Sequence, residues 1–281
     1  MEKIRNIAIL MATYNGSEYL EQQINSIISQ SAHDWTLYIH DDGSCDKTLN
    51  IIREYSSEHK NIVVLDYPSQ HGAKDNFLSM VQKIEADYYL FCDQDDVWHN
   101  SKIEIEMDKM REMEMKYGDI PLLIFSDLEI VDKDLNVTSP SMWKCGGIRP
   151  ELLYSFDAGA VFEYVTGCTM LFNRKARESI HFPANKALMH DSWVTCCILK
   201  AGGHVYGIPQ PLVSYRQHGN NTLGATNWNT HGLLYKMVHI AKIFQKNYRH
   251  WNMLRALGYG SFFKYLKFKY YNRHIKYGIN K

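Results

Sequence analysis

The stretch Tyr-Tyr-Leu-Phe-Cys-Asp-Gln-Asp-Asp-Val-Trp, residues 88–98, decides the fold of this chain. Its first five residues have the length and the apolar composition of a buried β-strand. Three carboxylates follow abruptly, and in an extended chain Asp93 and Asp95 point to one side while Asp96 points to the other. Two like charges on one side repel each other unless a cation or buried donors lie between them. The stretch therefore predicts either a divalent-ion site that also binds phosphate oxygens, or a solvated acidic turn.

Two earlier polar loops also follow predicted strands. Ile7–Thr13 ends in the loop Thr13-Tyr14-Asn15-Gly16, and Trp35–His40 ends in Asp41-Asp42-Gly43-Ser44. Helical segments with apolar stripes lie between these strands, and this alternation predicts an α/β fold with a mostly parallel sheet flanked by helices. Ligands of such sheets bind beyond the carboxyl ends of the strands. All three polar loops are therefore expected at one rim.

Several other classes of protein are not indicated by the sequence. The 281 residues, 45% of them hydrophobic, suffice for one large domain or for one domain with an appendage. The chain lacks a G-x-G-x-x-G motif and a P-loop, and its six cysteines form no C-x-x-C pair that would indicate a zinc site. Neither a signal peptide nor an apolar stretch of about 18 residues is found, so we expect a cytoplasmic protein, soluble or peripheral.

Charge divides the chain into two parts. Residues 229–281 contain 11 Lys and Arg and no acidic residue, whereas residues 1–228 contain 20 basic and 31 acidic residues. The second part has helical apolar spacing, and Ser261–Tyr271 mixes aromatic side chains with lysines. We therefore predict a body, 1–228, and a basic, aromatic-rich amphipathic helical tail, 229–281. The tail suits an anionic membrane surface; the alternatives are packing on the acidic body or on a second subunit, which leaves a homodimer open.

The three loops and two later motifs resemble the family 2 glycosyltransferases, which have the GT-A fold. The later motifs are His190-Asp191-x-Trp193 and Tyr215-Arg216-Gln217-His218-Gly219-Asn220-Asn221, and together with the Asp-Gln-Asp-Asp-Val-Trp form they are similar to the rhamnosyltransferase branch in particular. The resemblance covers residues 6–222. The Gln-x-x-Arg-Trp signature and the membrane spans of processive polysaccharide synthases are absent, so an enzyme that adds one sugar is expected.

The resemblance implies roles for residues that would bind the nucleotide of the donor. Asp42 would accept a hydrogen bond from the ring N–H of the pyrimidine, and the alternative is that it only caps a loop. Lys74 would lie near the nucleotide unless it is merely a solvated residue at a helix start, and Asp93 would reach the ribose or a water held by the metal. The loop that would line the base contains Thr13, Tyr14 and Asn15.

The same resemblance implies a metal site and a catalytic base. Asp95 would ligate Mg²⁺ or Mn²⁺, and His218 would complete the metal site or touch the diphosphate. Arg216 would pair with a phosphate or hold an internal carboxylate. Asp191 would take the proton of the acceptor hydroxyl during an in-line, inverting attack, unless it is an ordinary N-cap. The residues expected on the acceptor side are Asp127, Thr166, Gly167 and Trp193, although aromatic packing explains Trp193 equally well.

These inferences predict a metal-dependent, inverting transferase at the inner face of the cell membrane. It would move one sugar, either L-rhamnose from dTDP-rhamnose or another hexose from a UDP- or dTDP-sugar, to a cell-surface polysaccharide or a lipid-linked glycan, with no nucleic-acid partner. A sugar-1-phosphate nucleotidyltransferase is the first alternative, but the loop at 12–16 lacks the Gly-rich, basic chemistry that this class needs. A non-enzymatic, membrane-bound scaffold is the second, and it would leave three acidic clusters without a purpose.

Overall fold

A computed structural model describes residues 6–218 and 240–272 of the chain. Within these residues nine strands form one sheet. The strands are β1 (Ile7–Thr13), β2 (Trp35–Asp41), β3 (Ile62–Val64), β4 (Tyr88–Cys92), β5 (Val97–Trp98), β6 (Leu122–Val131), β7 (Val137–Ser139), β8 (Met170–Asn173) and β9 (His204–Arg216). The α-helices are α1 (Leu20–Ile28), α2 (Thr48–Glu58), α3 (Ala73–Lys83), α4 (Lys102–Tyr117), α5 (Met142–Gly146), α6 (Phe156–Gly159), α7 (Arg174–Glu178), α8 (His190–Lys200), α9 (Ile240–Ala256) and α10 (Phe262–Tyr271).

The sheet is mostly parallel and confirms the predicted α/β fold. Its strand order is β3-β2-β1-β4-β8-β6-β9-β5, and β7 pairs with β6 outside this path. The first four strands run parallel, β8 is antiparallel to both of its neighbours, and β9 runs parallel to β6. Met11 of β1 is level with Ile39 of β2 and Cys92 of β4, so the loops that follow these three strands leave the sheet side by side.

Helices cover both faces of the sheet, which explains why its central strands are apolar throughout. All five residues of β4 are buried, as expected for a strand that is covered on two sides. One face packs against α1, α2 and α4, through side chains that include Ile24, Ile52 and Met110. The other face packs against α3 and α8, through Phe77 and Val194 among others, and α9 joins the same apolar core through Leu254.

The apolar run Val165–Phe172 predicts a strand, but only its second half is one. Gly167–Thr169 form a turn of 3₁₀-helix before β8 begins at Met170. The turn is closed by Thr169, whose backbone N–H and hydroxyl both donate to the carbonyl oxygen of Thr166, at 3.0 and 2.7 Å. This hydrogen bonding overrides the apolar pattern. It also brings Thr166 and Gly167 to the surface of the cleft described below.

The described part of the tail packs on the body, which is one of the alternatives left open by the sequence. Leu254, Leu257 and Tyr265 are fully buried in the same core as α8, and the Lys264 ammonium lies 2.9 Å from the Asp157 carboxylate. The predicted boundary at 228/229 and the end of the late motif, 219–221, lie outside the described residues. Within 6–218 and 240–272, we find no helix whose length and apolarity would allow it to span a bilayer.

Candidate active site

A cleft of about 1250 Å³ lies at the carboxyl ends of β1, β2 and β4. It is large enough to enclose a nucleotide sugar, since small-molecule sites commonly measure about 300–1,000 Å³. Ten of the fourteen predicted site residues line it: Thr13, Tyr14, Asn15, Asp42, Asp93, Asp95, Thr166, Gly167, Asp191 and His218. The other four, Lys74, Asp127, Trp193 and Arg216, lie behind its walls or outside it.

One end of the cleft is organised around the Asp42 carboxylate. Its Oδ1 accepts hydrogen bonds from the Ser69 hydroxyl (2.6 Å) and the backbone N–H groups of Gln70 (2.6 Å) and His71 (3.0 Å). Its Oδ2 accepts one from the Gly72 N–H, at 2.5 Å. Burial raises the pKa of Asp42, but these hydrogen bonds outweigh it and hold the pKa below its ordinary value. Asp42 is therefore an ionised acceptor, and its Oδ2 keeps a lone pair for a ligand N–H.

The loop after β1 is fixed against the loop after β2. The Thr13 hydroxyl donates to the Asp41 carboxylate at 3.0 Å, and the Asn15 N–H donates to the Ser44 hydroxyl at 2.8 Å. The Asn15 side-chain oxygen in turn accepts from the Cys45 N–H at 2.8 Å. Asn15 adopts a left-handed backbone with φ of 46°, a conformation that costs energy unless its surroundings hold it. The two loops thus form one preorganised wall.

The predicted metal ligands Asp95 and His218 lie together at the other end of the cleft. The His218 Nε2 is 2.8 Å from the Asp95 Oδ2. Asp93 lies beside Asp96 and Cys168, with one ligand atom of each of these three residues within 4.8 Å of the others. Burial raises the pKa of Asp93 to about 7, and the nearby charges of Asp95 and Asp191 raise it further. Such an excess of buried negative charge, with carboxylate and imidazole ligands, fits Mg²⁺ or Mn²⁺.

Asp96 and Arg216 are buried behind this end of the cleft, where their hydrogen bonds hold its segments together. Asp96 is fully buried and accepts a hydrogen bond from the backbone N–H of Arg216 at 3.1 Å. The Arg216 guanidinium donates to the carbonyl oxygens of Asp95 (2.8 Å) and Lys133 (2.6 Å), and it stacks on the Tyr19 ring. It therefore holds the Asp95 loop to the end of β9. Arg216 is itself 1% exposed and does not line the cleft, which differs from the direct phosphate contact that the resemblance implies.

Asp191 lies in the first turn of α8, at the side of the cleft. The N-cap position of α8 belongs to Met189, so Asp191 is not the N-cap that the sequence left as an alternative. Its carboxylate accepts from the Ser192 N–H at 2.5 Å and from the backbone of Gly167. Burial raises the pKa of Asp191 to about 6, and the charge of Glu163 adds to this shift. A carboxylate with that pKa is a competent general base near neutral pH.

Two residues expected on the acceptor side hold the wall of the cleft instead of lining it. Asp127 is 2% exposed, and its carboxylate accepts from the Ser141 hydroxyl and from the Trp143 N–H at 3.1 Å. Trp193 is equally buried, and its indole N–H donates to the carbonyl oxygen of His181 at 3.0 Å. Both side chains therefore have structural partners, and packing in the core describes Trp193 better than contact with an acceptor does.

Lys74 belongs to the start of α3, beside the loop that holds Asp42. Its ammonium lies 2.9 Å from the Asp75 carboxylate, and it does not line the cleft. Contact with the nucleotide would require this side chain to change its rotamer. The role of Lys74 therefore stays a prediction.

Gln94 and Glu163 also line the cleft, and neither has a role in the sequence-based prediction. The Gln94 side chain bonds to the backbone of Tyr14 on the facing loop. Glu163 lines the cleft near Asp191, and its carboxylate lies 3.1 Å from the Nδ1 of His250 in α9. The place of Gln94 between two acids is a signal that could have drawn attention to it. Nothing in the pattern around Glu163 indicates its position.

Known proteins resemble the chain in both sequence and fold. Residues 8–137 match the sequence model described as glycosyl transferase family 2. The dTDP-rhamnosyl transferase RfbG of Shigella flexneri is 29% identical over an alignment of 234 residues that covers 76% of this chain and 74% of RfbG. The putative teichuronic acid biosynthesis glycosyltransferase TuaG of Bacillus subtilis (strain 168) is 26% identical over 224 residues, 79% of this chain and 82% of TuaG.

Solved structures with the same fold share little sequence with it. The mannosyltransferase PcManGT from Pyrobaculum calidifontis has a TM-score of 0.59 at 13% identity, over 92% of this chain and 66% of that one. TarS 1–349 of S. aureus has a TM-score of 0.55 at 17% identity, over 75% of this chain and 60% of that one. The predicted family, fold and enzyme class are therefore confirmed: residues 8–137 carry a glycosyl transferase family 2 domain, and the chain has the fold of the GT-A glycosyltransferases.

Proposed function

We propose that the enzyme transfers a single sugar from a nucleotide sugar to a glycan acceptor, with inversion at the anomeric carbon and with Mg²⁺ or Mn²⁺ at the diphosphate. The observation that carries this proposal is the convergence of Asp42, the Asp95–His218 pair and Asp191 on one cleft. The names of its relatives agree with sugar transfer during polysaccharide synthesis. PcManGT, which shares the fold, has been solved in complex with GDP-Man and Mn²⁺.

The two ends of the cleft would bind the two ends of the nucleoside diphosphate. Asp42 would accept from the base N–H, with the wall that contains Thr13, Tyr14 and Asn15 beside it. Asp95 and His218 would hold the metal ion, which when bound supplies positive charge for the diphosphate leaving group. Asp93 would contact the ribose, or add its charge to the metal site. Arg216 would act from behind, by keeping the Asp95 loop in place.

Asp191 would act as the general base of the transfer. The acceptor hydroxyl gives its proton to the Asp191 carboxylate while its oxygen bonds to the anomeric carbon. The bond from that carbon to the diphosphate oxygen breaks, and its electron pair leaves with the nucleoside diphosphate. Attack from the face opposite the leaving group inverts the anomeric configuration. Thr166 and Gly167, which border the same side of the cleft, would contact the acceptor.

The donor that we favour is dTDP-L-rhamnose, because of the similarity to RfbG. Another UDP- or dTDP-hexose is the alternative. The test is a donor screen by mass spectrometry with dTDP-, UDP- and GDP-sugars, a lipid-linked glycan acceptor, and Mg²⁺, Mn²⁺ or EDTA. We expect one sugar mass to be added with one donor, and the addition to be lost in EDTA. If no donor is transferred or hydrolysed, the proposal is wrong; pyrophosphate release from a nucleoside triphosphate would support a nucleotidyltransferase.

We further propose that the protein binds anionic membrane through the C-terminal basic face, the solvent side of α9 and α10. This surface exposes Phe244, Tyr248, Phe263, Tyr270 and Tyr271 together with Lys242, Lys246, Arg249 and Lys267. No acidic residue occurs in 240–272, so the surface complements anionic lipid headgroups. The His250–Glu163 contact ties α9 to the cleft, so a lipid-linked acceptor would reach Asp191 from the membrane side.

Vesicle co-sedimentation with the full chain tests this attachment. Phe244→Ser, Phe263→Ser and Tyr270→Ser combined should weaken binding to phosphatidylglycerol vesicles at least fivefold, while Met115→Ser, at an 82% exposed residue of α4, serves as the control. Deleting the whole tail would be a poor test because Leu254 and Tyr265 belong to the core. Equal vesicle binding by the triple variant would contradict the membrane role, and a dimer that the same substitutions dissociate would assign the face to a second subunit.

A further inference from the structure

The side-chain amide of Gln94 pairs with the backbone N–H and carbonyl groups of Tyr14, a residue on a different loop of the cleft. Its Oε1 accepts from the Tyr14 N–H at 2.9 Å, and its Nε2 donates to the Tyr14 carbonyl oxygen at 3.0 Å. Both hydrogen-bonding groups of one peptide residue are thus satisfied by one side chain, as they would be by a neighbouring strand. Gln94 itself lies between Asp93 and Asp95. The pair of hydrogen bonds therefore joins the acidic end of the cleft to the loop after β1.

Gly16 makes room for this contact. A Cβ atom added at Gly16 would lie 2.3 Å from the Oε1 of Gln94 and 2.8 Å from its Nε2. Gly16 is not among the residues with positive φ, so its backbone conformation does not itself require glycine. The absence of a side chain at position 16 is therefore explained by the space that the Gln94 amide occupies.

The loop after β1 is consequently held from two sides. On one side the Gly16 N–H donates to the Thr48 hydroxyl at 2.8 Å, next to the Asn15–Ser44 contact with the loop that carries Asp42. On the other side is Gln94. Through this loop, the wall beside Asp42 is hydrogen-bonded to the segment that carries Asp93 and Asp95, although the two come from separate strands.

We propose that Gln94 is a positioning residue that sets the distance between the nucleoside end and the diphosphate end of the donor site. The inference rests on the proposed function, because it assumes that a nucleoside diphosphate binds across the cleft. A ligand held at both ends gains affinity only if the two half-sites are spaced correctly before it binds. Losing the Gln94 contact should therefore affect a nucleoside diphosphate strongly and a free nucleoside little.

The test compares UDP with uridine, and dTDP with thymidine, in the presence of Mg²⁺, by calorimetry and ligand-observed NMR. Gln94→Met keeps the length of the side chain and removes both hydrogen bonds; we expect the diphosphate affinity to fall at least tenfold and the nucleoside affinity to change less than twofold. Gln82→Met, at an exposed position of α3, is the matched control. Melting temperatures of all variants separate this effect from loss of folding.

Gly16→Ala provides an independent arm. Its Cβ should displace the Gln94 amide and reproduce the loss of diphosphate affinity, but in a Gln94→Ala background the same change should cost less than twofold because the space is free. Equal UDP binding by the wild type and Gln94→Met would overturn the inference, and so would equal losses of affinity for UDP and uridine. The inference would also be wrong if the affinity losses of Gly16→Ala and Gln94→Ala simply added in the double variant. A wild type that binds neither UDP nor dTDP would instead refute the proposed function.

Discussion

The two ends of the cleft use carboxylates in opposite ways. Asp42 accepts four hydrogen bonds from the loop 69–72, and its pKa lies below the ordinary value. At the other end, burial and neighbouring charge raise the pKa of Asp93 to about 7, and that of Asp96 lies well above its ordinary range for the same reasons. At the first end, hydrogen bonds from the protein stabilise the carboxylate charge without a ligand. At the second end, the negative charges are balanced only when a cation or protons bind.

This contrast suggests a division of labour between recognition and chemistry. A preorganised acceptor such as Asp42 can bind the N–H of a ligand without reorganising when the ligand arrives. Crowded carboxylates cost folding energy, and such strain is usual where charge must be neutralised during a reaction. The following predictions test whether the two ends differ in this way.

The largest effect is expected at Asp191. Asp191→Asn removes the proposed general base but preserves the shape of the side chain, so turnover should fall by about 10²–10⁴-fold. Donor affinity, measured by calorimetry, should stay within twofold of the wild type. A large loss of donor affinity would contradict this and would assign Asp191 to donor binding instead of catalysis.

Removing Asp95, the proposed metal ligand, should separate the two ends directly. Asp95→Asn, or EDTA, should lower the affinity for a nucleoside diphosphate about tenfold or more and leave the affinity for the free nucleoside unchanged, since only the diphosphate carries the charge. Asp42→Ala should weaken the nucleoside as well. If Asp95→Asn and Asp42→Ala each lowered the affinities for the nucleoside and for its diphosphate by the same factor, the two ends would not have the separate roles expected here.

The pH dependence should report the raised pKa of Asp191. A general base must be deprotonated, and burial raises the pKa of Asp191 to about 6. The single-turnover rate should therefore fall about tenfold per pH unit below pH 6 and level off above it. A rate that stays constant down to pH 5 would show that this carboxylate is not the base.

The smallest effects are expected in stability, and they should have opposite signs. Asp93 has a folded-state pKa above its unfolded value, so the metal-free protein should gain stability as the pH falls from 8 to 6, and Asp93→Asn should raise its melting temperature at pH 8. Asp42 has a lowered pKa, so its contribution is present above pH 4 and lost in acid; Asp42→Asn should cost about 1–2 kcal/mol. Calorimetric melting in EDTA measures the stability of both variants. If Asp93→Asn and Asp42→Asn changed stability in the same direction, the difference between the two ends of the cleft would be contradicted.

The part of this site that the sequence predicts is the part that follows strand ends. The alternation of strands and helices determines where Thr13, Asp42 and Asp95 leave the sheet, so their convergence could be deduced before the fold was known. The position of Asp191 required the family resemblance, because α8 is far from these strands in the chain.

The remaining features depend on contacts that carry no signature in the pattern. The donors to Asp42 are mostly backbone N–H groups, which any residue types could supply. The buried states of Asp127 and Arg216 depend on partners distant in sequence, such as Trp143 and Lys133. The tail has an amphipathic spacing that suits a membrane and a protein surface equally, and only the packing of Tyr265 and Leu254 distinguishes its inner side.

The burial of α9 against α8 constrains how enzymes of this type can be recombined. The Leu188 backbone nitrogen lies 3.4 Å from the sulfur of Met253, so the segment that leads into α8 contacts the C-terminal part of the chain directly. A chimera that exchanges only the last fifty residues with those of a relative would place foreign side chains beside the start of α8, where Asp191 lies. Swapping acceptor preference by grafting should therefore succeed only when the residues around 188 are exchanged together with the C-terminal helices.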